Sequence, residues 1–244
     1  MLLPPSESKE SGGRAGHSPG AFDHCLGEPR RQVLTALGDH LRLASVAEAS
    51  RVLGVRGPLL ERALDASARL AEGTAPLLPA WQRYNGVVWS HLDPGTLDET
   101  ARARVLVPSA LYGLNASTDL IADYRLTFKV GLAPLGGLTA FWRPALAEAF
   151  STLGGATLVD LLPKEHAAAV PVGDSISATI VRVTFRRAKG EGVAGHDAKA
   201  VKGVLARRVL EDGPEIVPGF RWRGWRGRER AGQLEVLAPR QRVS

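Results

Sequence analysis

Short apolar segments of strand and helix character alternate irregularly along this chain, and this pattern most constrains the fold that the chain can adopt. Apolar runs bounded by Gly and Pro predict strands, whereas apolar positions that recur at helical spacing predict amphipathic helices. The predicted strands are residues 1–3, 104–107, 156–162, 176–185 and 234–237, and the predicted helices are residues 29–43, 46–53, 58–70, 138–153 and 197–211. Because neither a repeat nor a linker interrupts them, we predict one α/β (mixed α+β) domain over residues 1–244, with a central mixed sheet and flanking helices.

The clearest local pattern lies in residues 45–72, where two short helices are separated by a turn that contains glycine. Ser45 is placed to cap the first helix, and Glu48, three residues later, completes a capping box. We expect that helix to end at Gly54 and the second helix to begin at Pro58, because proline is favoured at the first helical position.

This unit resembles a helix-hairpin-helix, a motif that binds the DNA backbone without reading base sequence. Gly54 and Gly57 allow the turn to adopt positive φ and to approach a ligand closely. Amide groups at the start of the second helix, together with Arg56, are then expected to face a phosphate. The alternative is a packing corner in which Gly54 only ends the first helix.

Positive charge is concentrated at the end of the chain. The protein carries a formal net charge of +6, but residues 182–244 contain 15 basic and 7 acidic residues, whereas residues 1–181 contain 16 and 18. Such asymmetry is typical of proteins with a polyanion partner, most simply nucleic acid. The alternative is a basic, solvated surface that binds nothing.

Residues 221–228 alternate arginine with tryptophan. Arginine pairs with phosphates and tryptophan stacks on bases, so this pattern is one that single-stranded nucleic acid binding uses. The alternative is a strand that buries its tryptophan face and exposes its arginine face to solvent.

Several chemistries are not indicated by the sequence. With Cys25 as the single cysteine, the chain can form neither an intrachain disulfide nor a cysteine zinc site. No apolar run approaches the roughly 18–20 residues of a membrane helix, and no signal sequence is recognisable at the N-terminus. Phosphate-binding loops, dinucleotide fingerprints, His-Glu-x-x-His and nucleophile-elbow motifs are also missing. We therefore expect a cytoplasmic protein with no membrane partner, no metal and no cofactor.

Six segments together carry a resemblance that none of them would carry alone. They are residues 1–9, residues 84–89, residues 109–113 with Asp119, Tyr124 and Arg125 downstream, residues 141–142, residues 161–162 and residues 199–203. Their order and their spread over nearly the whole chain resemble the peroxide stress protein YaaA family.

The resemblance implies a positively charged cleft, a helix-hairpin-helix at about residues 45–72, and a cytoplasmic protein that binds duplex DNA and protects it during peroxide stress. The DNA contacts expected on this hypothesis are Gly54, Arg56 and Gly57 in the hairpin, and Lys199, Lys202, Arg207 and Arg208 in the basic C-terminal part, residues 182–244.

The chain departs from the family pattern between residues 116 and 129. Ala-Ser at residues 116–117 replaces the usual Arg-Pro, Asp123 replaces a proline, and Phe-Lys at residues 128–129 replaces Met-Gly. An expected cleft thus loses one arginine and gains Asp123 and Lys129, which indicates a retained scaffold with a retuned site. The residues expected to contact a substrate there are Ser6, Tyr112, Asp123 and Lys129.

The alternative function is an enzyme that acts on a nucleobase, a nucleotide or a DNA lesion. The resemblance places Lys9, Asp119, Tyr124 and Arg125 in the cleft as its catalytic residues. A desolvated lysine among cations has a lowered pKa and attacks carbon as the neutral amine, and an aspartate nearby serves as general base or stabilises a developing cation. The competing interpretation is that Lys9 and Asp119 form a buried ion pair that only orders the core.

Both hypotheses place a ligand at a strand end, where α/β folds bind their ligands. Residues 109–129 are expected to form one wall of the cleft, with Lys9 and the basic helix opposite. Arg125 is the expected anion contact, because a guanidinium matches phosphate or carboxylate. The partner is therefore duplex DNA or a nucleotide-like anionic ligand.

Overall fold

The computed structural model of the chain describes residues 1–16, 20–171, 178–187 and 196–239. The first two residues of the predicted strand 176–185 lie outside this part of the chain, as do residues 188–195 and 240–244 of the basic C-terminal part.

Three helices follow the first segment of the chain: α1 (Asp23–Leu43), α2 (Val46–Leu53) and α3 (Pro58–Ala71). α1 begins six residues before its predicted start at Pro29. Leu26 is buried on the same face as Val33 and Leu37, and the burial of this face outweighs the backbone hydrogen bond that Pro29 cannot make.

The capping box and the turn between α2 and α3 are as predicted. Ser45 Oγ accepts the Glu48 N–H at 3.3 Å, and the Glu48 carboxylate accepts the Ser45 N–H at 2.8 Å. Gly54 ends α2 with φ +68°, and Gly57 precedes α3 with φ +55°. The two helices and their glycine turn are present, and phosphate binding at this turn stays a prediction.

The middle of the chain is built from short elements. They are β1 (Leu78–Pro79), α4 (Ala80–Arg83), α5 (Val87–Leu92), a 3-10 turn (Pro94–Thr96), α6 (Glu99–Ala103), β2 (Leu106–Ser109), β3 (Gly113–Ala116), β4 (Leu120–Ile121), β5 (Gly131–Leu132), β6 (Gly136–Gly137) and α7 (Leu138–Ser151). β2 begins two residues later than the predicted strand 104–107, because α6 occupies the chain up to Ala103 and Arg104 is its C-cap.

The last third of the chain supplies most of the sheet. Its elements are β7 (Thr157–Asp160), α8 (Lys164–Ala167), β8 (Thr179–Arg186), α9 (His196–Asp212), a second 3-10 turn (Pro214–Gly219), β9 (Arg221–Trp222), β10 (Trp225–Arg230) and β11 (Gln233–Leu237). Across the described ranges, no helix is both long enough and apolar enough to cross a membrane.

A mixed sheet lies at the centre, as predicted. Its five strands run in the order β7-β8-β11-β10-β9, with β8 parallel to both β7 and β11 and with antiparallel pairs on the β10 side. The first residues extend this sheet, because Leu2 forms parallel bridges to both β2 and β7. The Leu2 N–H donates to the Val159 carbonyl at 2.8 Å, and the Leu3 N–H donates to the Leu106 carbonyl at 3.0 Å. The buried segment at residues 1–3 thus links the β2–β3 hairpin to the five-stranded sheet.

A tight contact fixes the turn between β2 and β3. Gly113 has φ +70°, and a Cβ at this position would lie 2.6 Å from the ring of Trp142. The Trp142 indole N–H donates to the Ala110 carbonyl at 2.7 Å, so a side chain of α7 fixes the position of this turn. Glycine is required at residue 113, and the turn presents the neighbouring Tyr112 at one edge of the sheet.

Candidate functional site at the carboxyl edge of the sheet

The ends of two parallel segments bring some of the predicted site residues to one edge. Residues 1–3 and β2 run parallel, so the segments that follow them, residues 4–9 and 110–112, leave the sheet at the same edge. The carboxyl ends of parallel strands are where open α/β sheets bind ligands. Ser109, the last residue of β2, accepts the amides of Leu111 and Tyr112 with its Oγ at 3.3 Å each, which turns the chain there.

Lys9 is held at this edge by its backbone and by aromatic rings. Its backbone bridges that of Tyr84, and its Nζ donates to the Ser6 carbonyl at 2.9 Å. Nζ lies 4.2 Å from the ring centroid of Tyr124 and 5.7 Å from that of Tyr84. Burial, and then the Arg125 charge, lower the pKa of Lys9 to about 7, against opposing effects of Asp123 and Glu7. The side chain is half-buried and is neutral in a large fraction of molecules near neutral pH.

A chain of three buried hydroxyl groups lies under Lys9. The Tyr84 and Tyr124 hydroxyls are 2.9 Å apart, and Ser109 Oγ donates to the Tyr124 hydroxyl at 2.9 Å. Burial raises the pKa of Tyr124 to about 12 and also raises the pKa of Tyr84. The floor of the site is therefore polar but uncharged at neutral pH. Sequence analysis identified Tyr124, whereas Tyr84 and Ser109 were seen only as parts of family segments.

Tyr112 packs against one side of this row of hydroxyl groups. Its ring contacts that of Tyr124 edge to face, with centroids 5.3 Å apart, and its hydroxyl accepts the Ala122 N–H at 3.0 Å. Burial raises the pKa of Tyr112 as well. Tyr112, a predicted substrate contact, therefore packs against Tyr124, and its hydroxyl already accepts a backbone N–H.

Arg125 and Asp123 are the charged side chains of the site's rim. Both are half-buried, and within the described ranges Arg125 forms neither a hydrogen bond nor an ion pair. Among the charged groups, Arg125 has the largest influence on the pKa of Lys9. That these two side chains act together in one site stays a prediction. We call Lys9, Tyr84, Ser109, Asp123, Tyr124 and Arg125 the Lys9 site.

Arg83 supports the Lys9 site from the interior, and sequence analysis missed it. Its side chain is buried, and within the described ranges it donates only to backbone carbonyls: those of Gly12 at 3.0 Å, Pro76 at 2.8 Å, Ile121 at 3.3 Å and Glu10. No carboxylate pairs with this guanidinium within the described ranges, and its positive charge contributes to the lowered pKa of Lys9. Its partners are scattered along the chain, so no local sequence signal identifies it.

Asp119 binds backbone amides and does not contact Lys9. Its two carboxylate oxygens accept the amides of Ala21 at 3.0 Å and Ala116 at 2.9 Å. It does not form an ion pair with Lys9, so the buried pair that was considered from the sequence is not present. Burial raises the pKa of Asp119. Its catalytic role stays a prediction, and the observed contacts tie the start of α1 to the end of β3.

The remaining predicted substrate contacts, Ser6 and Lys129, differ in their placement. The Ser6 carbonyl binds Lys9, and the Ser6 hydroxyl donates to the Ser8 carbonyl. Lys129 is exposed and pairs with Glu165 of α8 at 2.8 Å. Ser6 therefore shapes the Lys9 site directly, whereas Lys129 pairs with a helix that follows β7.

The predicted basic face of α9 is largely used inside the protein. Lys202 donates to the Leu161 carbonyl at 2.7 Å, and burial lowers its pKa to about 8. Arg207 donates to the Asp93 carbonyl at 3.0 Å and to Thr96, and Arg208 pairs with Asp212 at 3.1 Å. Lys199 alone of the four is exposed without a partner in the described part of the chain. In the hairpin, Gly54, Arg56 and Gly57 are also exposed.

The Arg-Trp segment forms a strand pair in which the two residue types separate. Trp225 and Gly227 are buried on one face of β10, while Arg226 and Arg230 are exposed on the other. The structure therefore favours the interpretation of a strand with a buried tryptophan face over a stacking platform.

One face of the sheet carries a two-dimensional set of arginines. Strand register places on the same face Arg182 and Arg186 of β8, Arg221 of β9, and Arg226, Arg228 and Arg230 of β10. We call this the arginine face. Two buried carboxylates lie within it: Glu235 pairs with Arg228 at 2.5 Å and with Arg186 at 3.4 Å, and Asp160 pairs with Arg182 at 2.8 Å.

Comparison with known proteins places these features in a family. A sequence model described as peroxide stress protein YaaA matches residues 1–230. A UPF0246 protein of Streptomyces coelicolor is 34% identical over 230 residues, which cover 87% of this chain and 83% of the relative. UPF0246 proteins of Corynebacterium glutamicum and Corynebacterium efficiens are each 32% identical, over 85% and 88% of this chain and 83% and 85% of the relatives.

Proposed function

Because this chain belongs to the peroxide stress protein YaaA family, we propose that it binds the backbone of duplex DNA during peroxide stress, with the arginine face as its main contact. The observation that carries this proposal is the charge of that face. Six arginines and two carboxylates leave a formal net charge of +4 on one side of the five-stranded sheet. A surface of this kind gains affinity for DNA by releasing the counterions condensed on the phosphates.

The spacing of the arginines suits many phosphates rather than one. Residues two apart on an antiparallel strand are about 6.8 Å apart, and neighbouring strands are about 4.8 Å apart. Arg226, Arg228 and Arg230 follow one strand at the first spacing, and Arg186 and Arg221 flank it on other strands. Such an array contacts a row of phosphates along a duplex and carries no information about base sequence.

The two carboxylates hold part of this array in position. Glu235 is 3% exposed and Asp160 is 1% exposed, so each binds its arginines from within the sheet. Arg228 donates to one Glu235 oxygen through both Nε and Nη2, at 2.8 and 2.5 Å. Guanidinium groups that are already ordered lose less conformational freedom when they bind a phosphate. Arg226 and Arg230 have no carboxylate partner in the described ranges and supply the uncompensated charge.

The β10–β11 hairpin gives this face an exposed end. Ala231 and Gly232 connect the strands with φ +49° and +73°, as a two-residue hairpin turn requires. Arg230 and Gln233 are paired and exposed at this end. A two-stranded ribbon fits the major groove of B-DNA, which is about 12 Å wide. The hairpin end is therefore the part of the arginine face that we expect to enter the groove.

The other predicted DNA contacts fall into two groups. Arg56, Lys199, Arg208 and the turn glycines Gly54 and Gly57 are exposed, and they remain expected phosphate contacts. Lys202 and Arg207 serve backbone carbonyls inside the protein, so we expect little from their removal beyond a loss of stability. Cytoplasmic location and protection of DNA in cells remain predictions of the family resemblance.

A charge-matched pair of variants tests the proposal. Arg226→Glu with Arg230→Glu reverses two charges on the arginine face, and Arg31→Glu with Arg42→Glu reverses two exposed charges on α1. Duplex binding is measured by fluorescence anisotropy over a salt series. We expect the first variant to reduce the slope of log K against log salt by about two, since each phosphate contact contributes about one, while the control keeps the slope. An equal loss in both variants would show that only net charge matters and would overturn the arginine face.

A further inference from the structure

We propose that the Nζ of Lys9 is an amine nucleophile that condenses with the aldehyde of a phosphate-bearing ligand, and that Arg125 binds the phosphate. This activity goes beyond DNA binding by the arginine face and uses a different part of the molecule.

The position of Lys9 suits a group that meets a ligand. It follows the central segment, residues 1–3, at the carboxyl edge where two parallel segments end. Its side chain is half-buried, and the one hydrogen bond that it forms in the described part of the chain goes to the Ser6 carbonyl. A lysine that served only to order the core would be expected to pair with a carboxylate, and within the described ranges Lys9 forms no ion pair.

The surroundings of Lys9 favour the neutral amine, which is the nucleophilic form. The cations Arg125 and Arg83 act on Nζ, while the hydroxyls beneath it are neutral. The ring face of Tyr124, 4.2 Å from Nζ, retains some attraction for the ammonium form, so both forms are present near neutral pH. An amine of this kind reacts without needing a base to remove a tightly held proton.

Arg125 supplies the selectivity for a phosphate. It has no partner within the described ranges, and its guanidinium presents a planar set of donors that matches a phosphate. Asp123, two residues earlier on the same segment, limits the net positive charge of the rim. A ligand that carries both an aldehyde and a phosphate would react with the Lys9 amine and pair with Arg125.

The reaction is an ordinary condensation. The nitrogen lone pair of Lys9 attacks the aldehyde carbon, and the carbonyl π electrons move to oxygen. A proton passes from nitrogen to this oxygen, which gives a carbinolamine. Loss of the hydroxyl with one further nitrogen proton, as water, leaves the imine. One amine and one aldehyde thus give one imine and one water, and neither an oxidant nor a reductant is needed.

Lys202 provides an internal comparison for this chemistry. Its pKa is also lowered by burial, to about 8, but its neighbours are the Leu161 carbonyl and the ring of Phe185. No arginine contributes to its pKa, and Asp160 opposes the shift. Lys202 therefore matches Lys9 in desolvation but lacks a phosphate contact, whereas the exposed Lys164 and Lys199 match it in neither respect.

The first test uses pyridoxal 5′-phosphate as the phosphorylated aldehyde, near pH 7, with borohydride reduction and peptide mapping by mass spectrometry. We expect Lys9 to be labelled on the order of tenfold faster than Lys164 and Lys199, because a lowered pKa increases the amine fraction, and faster than Lys202. Arg125→Gln should reduce labelling of Lys9, while Arg62→Gln, an exposed arginine of α3, should not. Labelling of Lys9 no faster than that of the exposed lysines overturns the proposal. Equal labelling in Arg125→Gln and in Arg62→Gln also overturns the proposal, because it would show that Arg125 does not bind the phosphate.

The second test distinguishes the sources of the aldehyde. A duplex with a single abasic site and free ribose 5-phosphate are each offered to the protein and trapped with borohydride, with Lys9→Arg as the control that keeps the charge. A Lys9 adduct with either one supports the proposal and names the source, and an adduct with neither overturns it even where pyridoxal 5′-phosphate reacts. The Arg226→Glu, Arg230→Glu protein separates this result from DNA binding, because labelling of Lys9 by pyridoxal 5′-phosphate should be unchanged in it.

Discussion

The Nζ of Lys9 lies 4.2 Å from the ring centroid of Tyr124, and the Tyr124 hydroxyl lies 2.9 Å from both the Tyr84 hydroxyl and Ser109 Oγ. One tyrosine therefore presents its ring face to a lysine and its hydroxyl to a buried polar chain. This arrangement links the turn after residues 1–3 to the end of β2 and to the segment that carries Arg125. The predictions below separate the roles of the ring, the hydroxyl and the neighbouring charges.

Tyr124→Phe should lower stability without displacing Lys9. The change keeps the ring but leaves Tyr84 and Ser109 without their shared partner, which costs about 1–3 kcal/mol for buried hydroxyls. Urea denaturation measures the loss, and labelling by pyridoxal 5′-phosphate reports Lys9, whose rate should change little. A large loss of labelling at unchanged stability would instead place the Tyr124 hydroxyl in the reaction.

Arg125→Gln and Asp123→Asn should shift the pKa of Lys9 in opposite directions. Arg125 lowers this pKa and Asp123 raises it, so removing the first charge raises the pKa and removing the second lowers it further below its usual value. The pH dependence of Lys9 labelling in each variant measures the shift. Shifts of the same sign in both variants would contradict the electrostatic description of the Lys9 site.

Lys9→Met should change how stability depends on pH. The folded protein lowers the pKa of Lys9 from 10.5 to about 7, so between these values the unfolded chain binds more protons than the folded chain. Stability therefore rises with pH through this window, and the cost of holding Lys9 in the fold is largest below about pH 7. The methionine variant should be most favoured relative to the parent at the acidic end of a urea series from about pH 6.5 to 9.5.

A constant difference between Lys9→Met and the parent over that series would show that the pKa of Lys9 is the same in the folded and unfolded chains. Lys199→Met serves as the control, because it removes the same charge from an exposed lysine that forms no interaction in the described ranges.

Gly203→Ala should separate α9 from α5. A Cβ at residue 203 would lie 2.3 Å from the Val88 carbonyl oxygen and 2.7 Å from His91 Cβ, so the two helices cannot keep their present distance. Overpacking of this kind costs about 1–3 kcal/mol or more. Gly38→Ala in α1 is the matched control, because its Cβ would meet Ala71 Cβ at an ordinary 3.5 Å. The control should gain up to about 1 kcal/mol from helix propensity, so denaturation curves that shift in the same direction would contradict this packing.

Local signals in the sequence predicted the features that depend on neighbouring residues. The Ser45–Glu48 capping box, the glycine turn before Pro58 and the buried start of the chain are each determined over a few residues, and each is present. The predicted start of α1 at Pro29 was wrong. The burial of Leu26, which depends on the rest of the fold, outweighs the loss of the backbone hydrogen bond at Pro29.

Features that depend on contacts between distant residues could not be predicted from local sequence signals. Arg83 is held by four carbonyls from three separate parts of the chain, and nothing near it in the sequence distinguishes it from a surface arginine. Lys202 and Arg207 belong to a helix that looks basic, yet carbonyls outside that helix accept their hydrogen bonds. The Arg-Trp alternation in the sequence indicated the part of the arginine face that lies on β9 and β10. Its extension to Arg182 and Arg186 depends on the parallel pairing of β8 with β11, which the sequence does not show.

The salt dependence of duplex DNA binding by the unmodified protein tests the central claim most directly. If the arginine face binds the DNA backbone, log K should fall linearly with log salt, with a slope of about −0.9 for each phosphate contact and little change between duplexes of different sequence. Affinity that is absent at low salt, or that does not change between low and physiological salt, would contradict the proposal that this protein binds duplex DNA through its arginine face.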